Sequence, residues 1–358
     1  MKKKVLFVTN HFTYSNGVAT VLRSIIQNIN SEKYDIYLLP IYRFDSDFAS
    51  CIKDKFTLVK GFGFYFRGFD KIVNMMSSKA LYKRFVKDHY DVEISFQFGI
   101  PTKMMSNSTN ENTICWMHTF DSKMKLKKYY QKYAKMVNVS RIGMEKLIKE
   151  GFNSQKCTYC YNIIDEDFIN NKRTEAINIS KTRKFSIITV ARMDPDKAFL
   201  RYVECINSRK EYLSNYEFWL IGDGLEREKV EKYVQDNHLS EFVKVLGKQT
   251  NPYSFMAQSD LYFCPSYREG FSTACQEAAI LGLPVFSTDV DGAAELIEEA
   301  ECGEVFENSE QGIESFLDKL ANSSDLIDGW KTIATNNKSK FFKEKRIQRI
   351  ENTIDFIV

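Results

Sequence analysis

The chain has 358 residues, of which 44% are hydrophobic and 27% are charged, and its formal net charge at pH 7 is +3. Because a single domain usually has about 100 to 200 residues, this length predicts two domains with separate cores. No segment approaches the roughly 18 apolar residues that span a bilayer, and the apolar run at 5–9 is too short for a signal peptide. We therefore expect a globular, cytoplasmic protein.

The eight cysteines bear on redox state and metals. Without a secretory signal, they favour reduced thiols over a disulfide framework. Cys157 and Cys160 have one half of the spacing of a zinc site, but neither a second pair nor a histidine lies nearby in the sequence. We therefore expect no metal at these cysteines.

Short apolar segments alternate with amphipathic segments in both halves of the chain, which is typical of parallel, doubly wound α/β sheets. The predicted strands lie near residues 5–8, 36–39, 92–96, 113–117, 136–139, 186–190, 217–221, 243–246, 261–264 and 285–287. The polar stretch 165–183 is the best linker candidate. After Gly303 we expect helices, ending in a basic amphipathic helix over 338–357. The predicted organisation is two Rossmann-like domains, 1–170 and 171–337, followed by a C-terminal helix, 338–358.

Two residues of the first half follow predicted strands and are candidates for ligand contact. Gly17 lies between the first strand and a helix, where a glycine lets the backbone approach a phosphate and the first helical amides can bind it. The alternative is a simple loop glycine. His118 follows the strand 113–117 and would lie at the carboxyl edge of the sheet, where ligands usually bind. The alternative is a structural histidine.

The first half of the chain is also its basic half. Residues 1–170 contain 26 Lys and Arg against 16 Asp and Glu, whereas the remaining residues contain 24 against 31. The segments 61–69 and 123–130 combine basic and aromatic side chains, and the second is predicted to be helical. This composition suits an anionic membrane surface or a lipid diphosphate, with a solvated basic face as the alternative. No nucleic-acid recognition motif accompanies it, so we expect no nucleic-acid partner.

The segment 268–277 is predicted to form a strand-to-helix junction. The strand 261–264 precedes it, and Gly270 allows a sharp turn. Thr273 and Gln276 have the spacing of a capping box, and Gly282 marks the end of the helix. The unpaired amides at the start of such a helix, together with its dipole, favour a phosphate.

Two carboxylates flank this junction. Glu269 would precede the helix and Glu277 would lie in its second turn, so that they could bind hydroxyls on opposite sides of a diphosphate. A nucleotide sugar has this arrangement, with a ribose at one end and a hexose at the other. The alternative is one loop glutamate and one solvated helix glutamate.

The C-terminal half resembles the retaining GT-B glycosyltransferases of family four, whose hallmark is two glutamates separated by seven residues, here Glu269 and Glu277. The other segments that resemble the family's motifs occur in the family's order and are 191–197, 219–224, 245–247 and 282–285, followed by Gly292 and Glu295. The resemblance covers about residues 185–306. Ala191 and Ala198 stand where the family frequently has glycine.

The resemblance implies a GT-B fold, with two Rossmann-like domains facing each other across a cleft and the last helix returning to the first domain. It implies a hexose donor bound as a nucleoside diphosphate sugar, which we expect to be UDP-linked. The residues that it assigns to donor binding are Gly17, Arg192, Lys197, Gly247, Gly270, Phe271, Ser272, Thr273 and Glu277. Those that it assigns to catalysis are Glu269, His118, Arg192 and Lys197. It also implies retention at the anomeric carbon, with neither a metal nor another bound cofactor.

The acceptor is expected to be a saccharide on a lipid diphosphate carrier, in the synthesis of bacterial capsule or another surface glycan, at the inner face of the membrane. One alternative is another GT-B enzyme, an epimerase or a phosphorylase, but an epimerase should lack the glutamate pair and a phosphorylase a sugar-nucleotide pocket. The other is a noncatalytic GT-B subunit that binds acceptor for an active partner. Such a subunit should have lost the charged residues that bind the diphosphate, whereas this chain has Arg192 and Lys197.

Overall fold

A computed structural model describes residues 1–14, 16–119, 125–323 and 325–355 of the chain. The chain divides into two compact units. Unit 1 comprises Met1–Ile163 and Lys343–Val358, and unit 2 comprises Ile164–Phe342. Each unit is built on a parallel sheet accompanied by helices, so the predicted α/β class is confirmed.

Unit 1 contains a seven-stranded parallel sheet with the order β3-β2-β1-β4-β5-β6-β7. Its strands are β1 (Lys3–Phe12), β2 (Tyr34–Phe44), β3 (Thr57–Leu58), β4 (Val92–Ser95), β5 (Thr113–Met117), β6 (Lys135–Asn138) and β7 (Cys157–Tyr159). The helices between them are α1 (Gly17–Asn28), α2 (Phe69–Met75), α3 (Ser78–Phe85), α4 (Ile100–Met105), α5 (Lys127–Tyr130) and α6 (Arg141–Lys149). Residues 5–8 of β1 are fully buried, because both faces of a central parallel strand are covered.

Unit 2 contains a six-stranded parallel sheet with the order β10-β9-β8-β11-β12-β13. Its strands are β8 (Phe185–Val190), β9 (Tyr216–Ile221), β10 (Val243–Gly247), β11 (Leu261–Cys264), β12 (Val285–Thr288) and β13 (Gly303–Phe306). Its helices are α7 (Glu166–Lys172), α8 (Phe199–Arg209), α9 (Arg227–Asp236), α10 (Tyr253–Gln258), α11 (Thr273–Ile280), α12 (Ala293–Ala300), α13 (Glu310–Asn322) and α14 (Ile327–Asn337). In its core the rings of Phe263 and Phe316 stack at 4.0 Å.

Both sheets have the strand order of a Rossmann fold, in which the first and fourth strands are neighbours. The direction of winding therefore reverses between β1 and β4 in unit 1, and between β8 and β11 in unit 2. Ligands of open α/β sheets bind outside the carboxyl ends of the strands at this reversal. The loops that follow β8 and β11 are thus where a ligand of unit 2 is expected.

Several predictions about segment boundaries are wrong. Gly303–Phe306 are not helical but form β13, which pairs with β12. The predicted linker 165–183 begins with α7, which packs against α10 and α11, so the first boundary falls after residue 163 and not after 170. The last helix, α15 (Lys343–Asp355), begins later than residue 338 because Phe342 has an extended backbone. Residue 357, the predicted end of this helix, lies outside the described residues.

Helix α15 belongs to unit 1 and is anchored there by buried side chains. Ile350 and Ile354 are fully buried, and Glu351 Oε1 accepts a hydrogen bond from the amide of Asn30 at 2.8 Å. In the segment 123–130, predicted to be helical, the described residues 125–130 contain only the single turn α5. Residues 123 and 124 of that segment lie outside the described part of the chain.

A buried ion cluster lies where β11 begins. Asp260 is 5% exposed, and its two carboxylate oxygens lie 2.5 Å from Lys181 Nζ and 2.7 Å from Lys331 Nζ. The amide of Ser186 also donates to it at 2.9 Å. Burial alone would raise the pKa of Asp260, but these partners outweigh burial and hold the pKa below its ordinary value. The cluster therefore stabilises the fold above the pH range in which an unfolded aspartate titrates, and this stabilisation is lost as pH falls.

We expect Asp260→Asn to lower the free energy of unfolding at pH 7 by about 3 kcal/mol, because it leaves two lysines without their carboxylate. It should also flatten the loss of stability between about pH 5 and pH 3. Urea unfolding at several pH values measures both effects. Asp236→Asn, at an exposed position of the same unit, is the control and should change stability by less than about 0.5 kcal/mol. A wild-type pH slope in Asp260→Asn would contradict the assignment.

Candidate active site

The loops that follow β8 and β9 are locked together by close backbone packing. The amide of Met193 donates to the carbonyl of Asp223 at 3.0 Å. A Cβ atom at Gly222 would lie 1.8 Å from the carbonyl oxygen of Ala191, and one at Gly224 would lie 2.7 Å from the carbonyl carbon of Met193. Both glycines are therefore required by packing. The segment 219–224 fixes the position of the loop 191–197.

The loops that follow β8 and β11 meet through an ion pair. Lys197 Nζ lies 2.9 Å from Glu269 Oε1, and the two side chains are 15% and 13% exposed. Ser266 Oγ donates to the same oxygen at 2.8 Å, and the amide of Tyr267 donates to the carbonyl of Asp196 at 2.8 Å. Burial alone would lower the pKa of Lys197, but Glu269, with a smaller contribution from Asp196, outweighs burial and raises the pKa above its ordinary value. The structure therefore places a charged ammonium at the point where the winding reverses.

The remaining residues of the loop after β8 have different surroundings. The side chain of Arg192 is 71% exposed, and its Nη1 lies 2.5 Å from Asp194 Oδ2. The structure thus brings Lys197, and not Arg192, to Glu269. Ala198 has a left-handed backbone with φ of 55°, a conformation that costs a residue with a Cβ atom roughly 1–2 kcal/mol. This backbone explains why glycine would fit position 198 well.

Helix α11 begins as predicted after the bend at Gly270 and Phe271, but its cap differs from the prediction. Ser272 is the N-cap and accepts a hydrogen bond from the amide of Cys275 at 3.3 Å. Thr273 is the first helical residue, so the predicted capping box of Thr273 and Gln276 is wrong. The first amides of a helix have no intrahelical acceptor. The side chain of Ser272 satisfies that of Cys275, whereas the amides of Thr273 and Ala274 have no acceptor within the helix.

The bend before α11 is held by α12. Phe271 is 4% exposed, and a Cβ atom at Gly292 would lie 2.4 Å from its ring. Gly292 caps α12 with φ of 78°, so both its backbone conformation and its packing require glycine. Gly282 ends α11 with φ of 80°, as predicted.

Glu277 lies in the second turn of α11 beside a tyrosine. Tyr253 Oη donates to Glu277 Oε1 at 3.1 Å. Burial raises the pKa of Glu277 to about 7, although the bond from Tyr253 acts in the opposite direction. Asn251 Oδ1 accepts from the amide of Tyr253 at 3.1 Å, and Asn251 Nδ2 donates to the carbonyl of Lys172 at 2.8 Å. The predicted linker, through α7, therefore helps to support this carboxylate.

Gly247 ends β10 with φ of 64°. Its carbonyl accepts from the amide of Gly222 at 2.9 Å, and a Cβ atom at position 247 would lie 3.0 Å from Arg227 Nη2. The carboxyl end of β10 is thereby joined to the loop after β9, which supports residues 191–197.

A buried arginine fixes the backbone from which Ser266 and Glu269 extend. Arg201 of α8 is 6% exposed, and its Nη2 donates to the carbonyl of Pro265 at 2.6 Å and to Asn308 Oδ1 at 3.0 Å. Its guanidinium also lies 3.9 Å over the ring of Tyr267. Arg201 is therefore a positioning residue for the Lys197–Glu269 pair.

We expect Arg201→Met to lower the free energy of unfolding by about 2–3 kcal/mol, because the carbonyl of Pro265 is left unpaired. It should also lower kcat by at least about tenfold, since small displacements of reacting groups are costly, while KM for the donor changes little. Chemical denaturation and steady-state kinetics below the unfolding range measure the two effects. Arg209→Met, on the same helix but paired with Glu314 and Asp318, should leave kcat unchanged. Equal kcat for Arg201→Met and wild type would contradict a positioning role.

The predicted residues of unit 1 lie at the carboxyl edge of its sheet. Gln97 Oε1 accepts from Thr9 Oγ1 at 2.8 Å and from the amide of Asn10 at 2.9 Å, which joins the carboxyl-terminal part of β1 to the loop after β4. Gly17 is the first residue of α1, and a Cβ atom there would meet no atom within 4 Å. No packing contact therefore requires glycine at position 17.

His118 follows β5, as predicted. Its ring lies 4.7 Å from that of Phe96, and its Nε2 has no hydrogen-bond partner among the described residues. Burial lowers the pKa of His118 to about 3, although a hydrogen bond with the backbone of Phe96 acts in the opposite direction. The imidazole is therefore neutral at physiological pH and is suited to hydrogen bonding rather than to carrying charge.

Four residues that support the site were not predicted from the sequence: Ser266, Tyr253, Arg201 and Asn308. The motif match offered a signal only for Ser266, which lies three residues before Glu269. The other three act through contacts between distant segments. Within the described ranges, no three His, Cys, Asp or Glu side chains are grouped so that they could hold a metal ion. In the same ranges, no helix has the length and apolarity needed to cross a membrane.

More than half of the chain matches a known protein family. The model of the family described as glycosyl transferases group 1 matches residues 170–353, slightly more than half of the chain. The chain belongs to this family. The match begins within α7 and includes Lys197, Glu269 and Glu277. The protein is therefore a glycosyltransferase.

Two related proteins and one solved structure show further similarity. The chain is 26% identical, over 72% of its length and 68% of the relative's, to the N-acetylgalactosamine-N,N'-diacetylbacillosaminyl-diphospho-undecaprenol 4-alpha-N-acetylgalactosaminyltransferase of Campylobacter jejuni. It is 27% identical, over 46% of its length and 41% of the relative's, to the amylovoran biosynthesis glycosyltransferase AmsK of Erwinia amylovora. The crystal structure of HepE of Anabaena, in complex with UDP and glucose, matches 99% of both chains with a TM-score of 0.73 and 16% identity. The GT-B fold predicted from the motifs is thus confirmed.

Proposed function

We propose that this group 1 glycosyltransferase transfers a hexose from a UDP-sugar to a saccharide on a lipid diphosphate carrier, in the synthesis of a bacterial capsule or another surface glycan. The observation that carries the proposal is the carboxyl edge of the unit 2 sheet. There, the Lys197–Glu269 pair lies at the reversal of winding, and α11 follows with Glu277 in its second turn. This arrangement supplies both charge for a diphosphate and carboxylates for hydroxyl groups.

The donor would be bound from several directions. Glu277, when ionised, accepts hydrogen bonds from the ribose hydroxyls. Lys197, Arg192 and the amides at the bend from Gly270 to Thr273 bind the diphosphate, as expected for an anion at a helix N-terminus. Gly247 lies at the end of β10, where the base would stack or hydrogen-bond. Glu269 orients the hexose by its hydroxyls.

The chemical step would depend on charge and position. Negative charge grows on the diphosphate as the glycosidic bond breaks, and Lys197 is held ready for it by Glu269 and Ser266. Fixed charges of this kind need no reorganisation during the reaction, which is why they lower the barrier effectively. We propose retention by attack on the same face of the sugar, without an enzyme nucleophile. A metal is not needed in this scheme, because the cationic side chains and amides neutralise the diphosphate.

Unit 1 would contribute to hydroxyl and phosphate recognition. His118, neutral because burial lowers its pKa to about 3, would exchange hydrogen bonds with a sugar hydroxyl. Gly17, at the start of α1, would contact a phosphate or the acceptor. Both assignments follow the family resemblance and the position of these residues at the carboxyl edge of their sheet.

The names of related proteins support the donor and acceptor classes. The Campylobacter jejuni relative is named for an acceptor on diphospho-undecaprenol, AmsK is named for amylovoran biosynthesis, and the HepE complex contains UDP and glucose. We therefore propose a UDP-linked donor and a lipid-linked acceptor for this chain, which would place the protein at the inner face of the membrane.

Nucleotide binding followed by transfer tests the proposal. Thermal unfolding is measured with UDP, GDP, ADP and their common sugars, with and without EDTA, because a ligand that binds the folded state raises its apparent stability. We expect selective stabilisation by UDP compounds that EDTA does not remove. Glu277→Gln should lose most of this stabilisation. Lys331→Ala, which breaks an ion pair at the opposite end of β11, should retain it.

Transfer is then measured with the stabilising UDP-sugar and a saccharide on a prenyl diphosphate, and the anomeric configuration of the product is determined by NMR. Retention would support the scheme, and inversion would overturn it. Selective stabilisation by GDP or ADP compounds would identify that nucleotide, and not UDP, as part of the donor. Donor binding without turnover on any lipid-linked acceptor, restored by a second protein, would favour the noncatalytic subunit.

A further inference from the structure

Residues 58–87 of unit 1 form a surface with an unusual charge balance, here called the basic-aromatic face. The segment contains a single acidic residue, Asp70, and seven basic residues, so its net charge is +6 while that of the entire chain is +3. The basic residues are Lys60, Arg67, Lys71, Lys79, Lys83, Arg84 and Lys87. All seven are exposed.

Carboxylates of the described residues do not neutralise these cations. Within the described part of the chain, none of the seven lies within 4.0 Å of a carboxylate. In unit 2, by contrast, Lys181, Lys244 and Lys331 are each paired with a buried carboxylate. Internal pairing therefore does not account for the charge of the basic-aromatic face, which is available to an anionic partner.

Four of the cations converge on one groove. Lys60, Lys83, Arg84 and Lys87 line a groove of about 640 Å³ together with Gly61 and Phe85. Lys87 Nζ donates to the carbonyl of Lys83 at the end of α3. The guanidinium of Arg84 lies 5.3 Å over the ring of Phe62. One wall is thus the end of a helix whose cations are held in place by neighbouring groups.

The other wall is an extended segment fixed to the sheet. The amide of Val59 donates to the carbonyl of Leu38 at 2.8 Å, and that of Phe62 to the carbonyl of Ile41 at 2.7 Å. A Cβ atom at Gly61 would lie 2.0 Å from the carbonyl oxygen of Pro40. Glycine is therefore required for the segment to run this close to β2, and the position of Lys60 is set by backbone structure.

Apolar side chains are exposed beside the groove. Phe64 and Phe66 are each 52% exposed, Ile72 is 54% exposed and Met75 is 86% exposed. The rings of Phe64 and Phe66 lie 4.9 and 5.0 Å from the ring of Phe69, which is buried. Ile72 and Met75, three residues apart on α2, share one side of that helix. Exposed apolar groups rimmed by charge mark an interaction surface rather than ordinary solvent-exposed structure.

We propose that the basic-aromatic face binds the surface of an anionic phospholipid bilayer. The groove cations would contact the phosphates of the lipid headgroups, while Phe64, Phe66, Ile72 and Met75 would enter the interfacial region. Cations together with aromatic and aliphatic side chains are the combination that such interfaces favour. The inference deepens the membrane location given in the proposed function, but it rests on residues of unit 1 alone. Vesicle binding can therefore fail while UDP-sugar binding and glycosyl transfer hold, and the reverse is also true.

Flotation of the full-length protein with vesicles tests the proposal. One set of vesicles contains phosphatidylcholine alone, and the other contains an equimolar mixture with phosphatidylglycerol. We expect at least about tenfold tighter binding to the anionic vesicles, weakened by salt, because each basic residue near such a surface contributes up to about fivefold in affinity. Substituting Gln at Lys60, Lys83, Arg84 and Lys87 together should weaken binding by about 10²-fold. Phe64→Ser combined with Phe66→Ser should weaken it by about tenfold.

The control variant carries Gln at four other exposed lysines, Lys210, Lys229, Lys232 and Lys345, which gives the same change in net charge. We expect its vesicle affinity to stay within about threefold of wild type, since its cations lie outside the face. Equal losses in the two four-site variants would overturn the proposal in favour of non-specific attraction. Displacement from vesicles by soluble pyrophosphate at equivalent phosphate concentration would also overturn it, and would indicate a discrete phosphate site. Unchanged stabilisation by the donor nucleotide in each variant shows that folding and the unit 2 site are intact.

Discussion

Replacing Lys197 by alanine should lower kcat/KM for glycosyl transfer by about 10²- to 10³-fold, the range seen when one preorganised group that stabilises a developing anion is removed. The ammonium lies 2.9 Å from Glu269 and is only 15% exposed, so water would not readily take over its role. Most of the loss should appear in kcat, because the charge on the diphosphate grows during bond cleavage. Initial rates over a range of donor concentrations separate kcat from KM.

Stability has to be measured with the same variant, because Lys197→Ala leaves the carboxylate of Glu269 with Ser266 as its remaining strong partner. Removing one member of a buried pair costs about 3–5 kcal/mol. The matched control is Lys331→Ala, whose partner Asp260 is also buried but lies at the amino end of β11. It should lose comparable stability and keep its turnover. Near-normal kcat in a folded Lys197→Ala variant would remove Lys197 from the mechanism.

The central strands of both sheets were predictable because they are buried on both faces. β5 and β11 lie at the residues predicted from their unbroken apolar runs, since such runs leave little choice of boundary. The edge strands β3 and β7 were missed because they have only two and three residues, too few to show a pattern. β13 was missed because half-buried residues, such as Glu304, interrupt its apolar sequence.

The candidate site was predictable only as far as sequence motifs extend. Glu269 and Lys197 were found separately, but their ion pair joins residues 72 positions apart and follows from the adjacency of β8 and β11 in the sheet. Tyr253 contacts Glu277 from another helix, and Arg201 contacts the carbonyl of Pro265 from α8. No local pattern in the sequence indicates such partners. Tertiary structure therefore supplies the residues that position the motif carboxylates.

Donor binding should depend on pH through Glu277. Burial raises the pKa of this carboxyl group to about 7, so it is ionised above neutral pH and protonated below it. Only the ionised form can accept hydrogen bonds at both oxygens. We therefore expect KM for the donor to rise as pH falls through about 7, with a change of up to about 10²-fold if two charged hydrogen bonds to ribose weaken. Glu277→Gln should have a high KM that no longer varies with pH in this range.

In the absence of donor, a fall in pH should stabilise the protein through Glu277, although it weakens donor binding. A carboxyl group whose pKa is higher in the folded state than in the unfolded state stabilises the fold at low pH, and this contribution is lost as pH rises through the folded-state value. At pH 8 the ionised form of the half-buried Glu277 therefore costs stability. Glu277→Gln should raise the free energy of unfolding there by about 1–3 kcal/mol. A variant that is more stable yet binds the donor poorly would identify Glu277 as a functional rather than a structural residue.

Tyr253→Phe tests whether Glu277 is the group that titrates, because a purely structural role of Tyr253 would not move the pH midpoint of donor binding. The hydroxyl of Tyr253 donates to Glu277 at 3.1 Å and lowers the pKa of its carboxyl group. Its removal should therefore move the pH midpoint of donor KM upward by about one unit, the equivalent of one hydrogen bond of about 1.4 kcal/mol, while donor binding well above the new midpoint stays close to wild type. An unmoved midpoint would mean that Glu277 is not the titrating group, and a pH-independent loss of binding would mean that Tyr253 contacts the donor itself.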